Sequence, residues 1–228
     1  MRSKLIILSS LLLCGSAQAA ETATAPDTIE ARTQGCSTCH GAHGEGNKDP
    51  YFPRIAGKPA GYLFNQLQNF RDGKRSYPPM NYLLAYLHDD YLTEFADYFS
   101  SQTLEEQTPF AHEPTLTTDG ERLVKQGAAA RGIPACILCH GRLLTGIEPG
   151  IPGLVGLNSR YIAAQLVSWR VGTRRAKTPD CMHEIALHLT EAEIGQVSKW
   201  LAAQMPPSPA VPAAPGSWKT PLACGSEP

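Results

Sequence analysis

Apolar residues recur at helical spacing in matching places in the two halves of the chain. Leu63, Leu67 and Phe70 fall at i, i+4 and i+7, and so do Ile162, Leu166 and Trp169. Each stretch ends near a glycine, Gly73 or Gly172, a residue that commonly stops a helix. A later pair of stretches repeats the pattern, with Leu92, Phe95 and Phe99 in the first half and Ile194, Val197 and Leu201 in the second. Thr190 and Glu193 are spaced as a capping box that would open the last of these helices. Shorter helices are predicted over 28–35 and 120–126. No stretch alternates polar and apolar residues as a half-buried strand would, so the expected class is all-α.

The correspondence between the halves extends beyond periodicity. Pro53-Arg54-Ile55-Ala56-Gly57 matches Pro152-Gly153-Leu154-Val155-Gly156. Tyr62, Gln66, Arg71 and Arg75 match Tyr161, Gln165, Arg170 and Arg174, all 99 positions apart. Met80, Tyr98 and Gln102 match Met182, Trp200 and Gln204 at 102, so the second copy carries a short insertion before Met182. A period this long indicates duplicated domains rather than a solenoid. The expected organisation is a signal segment at 1–20, one helical domain at 21–108, a second at 109–205 and a tail at 206–228. The join falls near 107–118, where Pro109, Pro114 and a threonine cluster interrupt the pattern. Six prolines between Pro206 and Pro221 predict an extended tail without regular structure, whose end docks through Trp218 and Cys224.

The N-terminus reads as a secretory signal. Arg2 and Lys4 precede the apolar run Leu5 to Leu13, and Ala17-Gln18-Ala19 forms a cleavage site. Cys14 invites a lipoprotein reading, but the larger Leu13 before it argues for cleavage at Ala19 or Ala20. The run is too short to span a bilayer, which takes about 20 residues, so an exported soluble or surface-associated chain is expected. Taking Arg2 and Lys4 from the 20 basic side chains leaves 18 against 21 acidic, a formal −3. The charge is uneven: residues 21–108 carry 7 basic and 12 acidic groups, and residues 109–228 carry 11 and 9. No basic stripe of the kind that binds nucleic acid is present.

Two pentapeptides carry the chemistry. Cys36-Ser37-Thr38-Cys39-His40 and Cys136-Ile137-Leu138-Cys139-His140 both read C-x-x-C-H and lie 100 residues apart. At this spacing two thiols add to the two vinyl groups of one haem while the next residue ligates its iron. Two copies point to two covalently bound haems, with Cys36, Cys39, Cys136 and Cys139 as attachment points and His40 and His140 as axial ligands. The second axial ligand must come from farther along. Met80 lies 40 residues past His40 and Met182 lies 42 past His140, in matching places of the repeat. A thioether stabilises ferrous haem and raises its reduction potential. Pro78 and Pro79 would stiffen the loop that carries Met80. Cys181 and His183 flank Met182, and either could coordinate in its place. A bis-histidine arrangement through His88 and His188 is disfavoured because the two do not align in the repeat.

Second contacts are also suggested. The carbonyls of Pro53 and Pro152, 13 and 12 residues after their histidines, could accept from the other imidazole N–H, or could mark simple turns. Arg71, Arg75, Tyr62 and their counterparts could meet haem propionates or lie on a solvated helix face. After the signal segment and the haem motifs have taken theirs, Cys181 and Cys224 remain. A disulfide between them would pin the tail to the second domain. Free thiols, or a Cys181 thiolate on iron, are the alternatives.

This motif set resembles the cytochrome c4 family of di-haem electron carriers. The match covers about residues 30 to 204 and includes both haem motifs with their methionines, the Pro-x-x-x-Gly turns, the Tyr-x-x-x-Gln-Leu-x-x-aromatic-Arg segments, and Gly132 to Cys136. The resemblance implies two tandem cytochrome c-type helical haem domains related by pseudo-twofold symmetry, with propionate edges facing across the interface. It implies a periplasmic electron carrier, not an enzyme, that serves redox proteins, passes electrons toward a terminal oxidase and associates peripherally with the inner membrane. A cytochrome subunit of a periplasmic dehydrogenase, as in sulfide-oxidising flavocytochromes, is the first alternative. A di-haem thiosulfate dehydrogenase with Cys181 on iron is the second. The Pro-rich tail, the Cys181/Cys224 pair and His43 depart from the family pattern.

Overall fold

The computed structural model describes residues 26–47, 49–103, 118–217 and 219–227. The expected signal segment at 1–20, nearly all of the join at 107–118 and Trp218 lie outside the described residues. The described chain is a set of short helices in two similar groups. The first comprises α1 (Ile29–Arg32), α2 (Gln34–His40), α3 (Ala60–Arg71), α4 (Pro78–Leu84) and α5 (Asp89–Ser101). The second comprises α6 (Thr118–Gln126), α7 (Ile137–His140), α8 (Ser159–Arg170), α9 (Cys181–His188) and α10 (Glu191–Ala202). In the first group α3 packs on α5 and α4; in the second α10 packs on α6 and α8, and α8 on α9. The duplication therefore appears as a duplicated packing scheme.

Local signals explain most of the ends. Thr28 caps α1, its hydroxyl accepting from Ala31 N. The single helix expected over 28–35 is two helices, broken at Thr33. This residue is buried with its hydroxyl on Ile29 O, and the second helix runs through the cysteine motif to His40. Gly73 and Gly172 follow α3 and α8 with φ of +69° and +76°, the left-handed geometry that ends helices and costs glycine nothing. The capping box at Thr190 and Glu193 is formed in full. One expectation fails. The Pro78-Pro79 segment is not a stiff loop but the first turn of α4. Proline is favoured there because its fixed φ suits the helix and its missing N–H would have had no partner. Met80 and Met182 thus sit on the first turns of helices α4 and α9.

Each group has its own apolar core. In the second, Leu123, Val124, Ile133, Leu166, Ile194, Trp200 and Leu201 form one continuous cluster. In the first, Leu63, Ala96 and Phe99 lie in one cluster and Phe70, Leu84 and Leu92 in another, with Phe64 packed against both. The gap between them is a cavity described below. A two-residue hairpin, β1 (Gly146–Ile147) paired with β2 (Ile151–Pro152), interrupts the all-α pattern in the second group. The tail is otherwise irregular, as its prolines predict. Ala213 joins the hairpin by accepting from Glu148 N and donating to Gly146 O, both at 2.9 Å. A disulfide links Cys181 to Cys224, with Cα atoms 5.2 Å apart, and ties the end of the tail to α9.

Leu92 has no solvent exposure. Leu92→Ala is expected to destabilise the haem-loaded protein by about 2–5 kcal/mol in denaturant titration, whereas Val171→Ala, at an exposed site, should stay within about 0.5 kcal/mol.

Candidate functional site

A cavity opens in each group of helices. The first, of about 430 Å³, is lined by Cys36, Cys39, His40 and Met80, with Leu63, Phe70, Leu84 and Phe95 as apolar walls. The second, of about 160 Å³, is lined by Cys136, Cys139, His140 and Met182, with Leu123, Ile162, Leu166 and Leu201. All eight residues singled out from the sequence are therefore brought together, four to a cavity. Both cavities are overwhelmingly apolar, which suits a flat macrocycle with a hydrophobic body.

The histidines are set in one way in both copies. His40 Nδ1 lies 2.8 Å from Pro53 O, and His140 Nδ1 lies 2.8 Å from Pro152 O. A carbonyl can only accept, so Nδ1 carries the proton and Nε2 keeps its lone pair free for a metal. Burial disfavours the imidazolium and lowers the pKa of both rings, His40 and His140, against the smaller opposing effect of the proline carbonyls. The two proline carbonyls are thus acceptors, not mere turns. Burial likewise pushes the Cys36 thiol up to about 11 and the Cys136 thiol up to about 12, so neither is an activated thiolate.

The remaining alternatives at the second site separate clearly. Cys181 is tied up in the disulfide and has no thiolate to offer. His183 Nδ1 is bonded to Trp169 O at 2.8 Å, and the residue does not line the cavity. His88 caps α5, and both it and His188 are exposed and line neither cavity. Arg71 and Arg170 are not placed for propionates either. Arg71 holds Asp89 and Leu87 O, and Arg170 holds Glu191 and Leu189 O, so each fastens the end of one helix to the start of the next but one, α3 to α5 and α8 to α10.

Arg75, Arg174, Tyr62 and Tyr161 instead build the junction between the two halves. Arg75 donates to Tyr161 Oη at 2.9 Å and Gln165 Oε1 at 2.7 Å. Arg174 returns the pattern, donating to Tyr62 Oη at 3.4 Å and Gln66 Oε1 at 2.7 Å. The two arginines also pair through their backbones as an antiparallel bridge. Equivalent residues exchanging equivalent partners are the signature of a twofold relation. Gly61 permits a further close approach: an added Cβ would lie 2.6 Å from Pro149 O in the other half.

Two residues missed by sequence reasoning break this symmetry. Lys58 is buried, lines both cavities, and donates to Gly153 O at 2.9 Å. Arg54 is buried and donates to Ala56 O and Val155 O, leaving Nε without a partner. Their counterparts 99 positions on are Leu157 and Gly153. Burial pulls the pKa of Lys58 well below the usual ammonium value, with Arg54 and Arg174 adding repulsion, and pulls Arg54 down to about 10. Among the described residues no carboxylate pairs with Arg54, Lys58, Arg75 or Arg174. Buried charges are normally paired, so four clustered cations call for an anion that the described residues do not supply. The only clue in the sequence was a charged residue standing where its repeat partner is apolar.

Paired C-x-x-C-H segments, oriented imidazoles, apolar cavities and a cationic wall define a di-haem c-type cytochrome. The family model for cytochrome c matches residues 30–91. A thiosulfate dehydrogenase electron acceptor of Thiomonas intermedia is 38% identical over 206 residues, which is 90% of this chain and 92% of that protein. Cytochrome c4 of Pseudomonas aeruginosa is 36% identical over 197 residues, covering 86% of this chain and 94% of the relative. The crystal structure of reduced cytochrome c4 from Pseudomonas stutzeri superposes with a TM-score of 0.67 at 31% identity, covering 76% of this chain and 95% of that one. The chain belongs to the cytochrome c4 family of di-haem electron carriers with covalently bound haem c. The residues present fit that cofactor, because each haem brings an apolar body for the cavity and two carboxylates for the unpaired cations.

Lys58→Met tests the fit by its sign. Replacing an isolated buried charge with an apolar side chain of similar size stabilises a protein by about 1–4 kcal/mol, whereas removing one partner of a buried pair costs about 3–5 kcal/mol. Loss of stability is expected for the haem-loaded variant in thermal or denaturant unfolding; a gain would mean that no haem carboxylate faces Lys58.

Proposed function

We propose that this protein carries electrons in the periplasm, accepting them from a dehydrogenase and passing them toward a terminal oxidase, with no substrate chemistry of its own. The observation that carries the reading is that each cavity gathers a cysteine pair, a free imidazole Nε2 and a methionine sulfur around one apolar space. Cys36 and Cys39 hold one haem by thioether bonds and Cys136 and Cys139 the other. His40 with Met80, and His140 with Met182, would ligate the two irons. The cofactor supplies a one-electron Fe(III)/Fe(II) couple when bound. The chain's own contribution would be to supply both ligands to each iron, keep water out with apolar walls, and offset the propionate charge with Arg54, Lys58, Arg75 and Arg174. Saturated coordination leaves no open site for a substrate, and methionine sulfur keeps the potential high.

Two further points support the carrier over the catalytic alternative. The thiolate that a thiosulfate-oxidising haem would use is absent, because Cys181 is bridged to Cys224. The relative from Thiomonas intermedia is named as an electron acceptor of thiosulfate dehydrogenase, which makes a dehydrogenase of that kind the favoured donor. Export by the N-terminal signal accounts for covalent haem attachment and for the disulfide. No helix among the described residues is long and apolar enough to cross a membrane, and peripheral contact with the inner membrane would place the carrier beside an oxidase.

Met80→Ala is expected to lower the potential of the first haem, abolish its ferric methionine charge-transfer band and admit carbon monoxide to the ferrous iron. Unchanged carbon monoxide binding in absorption spectra would refute the ligand assignment. Thiosulfate alone should leave the oxidised protein oxidised in a spectrophotometer, and a catalytic amount of thiosulfate dehydrogenase should then reduce it. Rapid reduction by thiosulfate alone would reassign the protein as an enzyme.

A further inference from the structure

The two cavities are closed differently at the same place. In the first domain Tyr51 and Tyr77 stack face to face, with ring centroids 5.9 Å apart and planes 8° from parallel, and both line the cavity. The counterpart of Tyr51, 99 positions on, is Gly150; the counterpart of Tyr77, counted three back from the methionine, is Pro179. Neither can make such a stack. The C-terminal strap fills the gap instead. Gly225 N donates to Pro179 O at 2.8 Å, and Ser226 and Glu227 pass so close to Gly150 that a Cβ there would strike both. Cys224 is bonded to Cys181, which stands in the place of Pro79. Leu222, Cys224, Ser226 and Glu227 all line the second cavity. The end of the chain therefore caps the second haem site in the position that two tyrosines hold in the first.

The rims differ as well. Around Met80 the first domain exposes Tyr82 at 84%, Tyr86 at 90% and Tyr51 at 65%. The residues matching Tyr82 and Tyr86, 102 positions on, are Glu184 and His188. Leu83, on the same helix, lines the cavity and packs beside Gly35, next to the first haem cysteine. The first half of the chain is also acidic in composition. Of seven cations in residues 21–108, Arg54, Lys58 and Arg75 are buried at the domain junction, and Arg32 and Arg71 are engaged by acidic side chains. The same stretch of sequence carries twelve acidic residues.

Building on the electron-carrier reading, we propose that redox partners dock on the tyrosine rim of the first domain, because in the second domain the strap covers the place of Tyr51 and exposed Glu184 and His188 replace Tyr82 and Tyr86. Exposed aromatics on a domain of net acidic composition fit a protein whose own cofactor edge is ringed by lysines. The strap confines protein-to-protein exchange to one end of the molecule and makes the second domain an internal station.

Calorimetric titration of the full-length, haem-loaded protein with a lysine-rich single-haem cytochrome c tests this. The wild type should bind one equivalent, more weakly as salt rises. Tyr82→Ser with Tyr86→Ser should weaken binding about tenfold or more, with both reduction potentials and the absorption spectrum unchanged. Leu143→Ser with Leu187→Ser, on the exposed surface of the second domain, should bind as the wild type does. Cys224→Ser, which unlocks the strap, should add a second, weaker equivalent. Full binding by the tyrosine variant, or loss of binding in the second-domain variant, would overturn the proposal. A Cys224→Ser protein that still binds a single equivalent would overturn the role given to the strap. The spectrum of the unmodified protein reports separately on the underlying reading, since absence of two low-spin haems there would remove it whatever the titrations gave.

Discussion

The hydrogen bond from each haem-motif imidazole to a proline carbonyl is the constraint around which both domains are arranged. At 2.8 Å in each copy, it fixes the tautomer of His40 and His140 and turns Nε2 toward the cavity. The rest of each domain serves that placement. A short helix brings the cysteine pair and the histidine together and ends at Gly41 or Gly141, with φ of +87° and +89°. The following loop returns to present the proline carbonyl. A later helix brings the methionine to the same space. Domains of this size bury too little apolar surface to be robust alone, and the split core of the first domain shows where the cofactor's hydrophobic body completes the packing.

The junction between the domains combines symmetry with a deliberate departure from it. Arg75 and Arg174 exchange tyrosine and glutamine partners across a twofold-like contact. Arg54 and Lys58 come from the first domain alone and reach carbonyls of the second. Buried cations without protein anions are costly by themselves. Haem carboxylates would make them favourable, which would link cofactor attachment and domain docking through one electrostatic cluster. The strap adds a second departure, using a disulfide and a few backbone hydrogen bonds to close one haem site but not the other.

Much of this was legible in the sequence. The cysteine motifs, the repeat offsets and the helical periodicity located the longer helices, the eight residues that line the cavities and the tail's attachment, because each is encoded by local spacing or by duplication; α4, α7 and α9 were not seen. The proline carbonyls at positions 53 and 152 were visible as candidates, since their distance from the histidines repeats. What escaped detection depended on tertiary context. Pro78-Pro79 read as a rigid loop because proline breaks helix interiors, yet at the first turn it starts one. Arg71 and Arg75 looked alike from the repeat, but Arg71 ends α3 and ties it to α5, whereas Arg75, past Gly73, reaches the domain junction. Lys58 and Arg54 carried no motif; burial of a cation is decided by what packs over it, and here that is the other domain and the cofactor.

The central claim is that each cavity holds one haem between an imidazole nitrogen and a methionine sulfur. Proton NMR of the fully reduced protein tests it most directly, because a methionine methyl bound to ferrous haem lies under the ring current and is shifted strongly upfield. The account predicts two such methyl resonances, one from Met80 and one from Met182. A spectrum with one or none would contradict it.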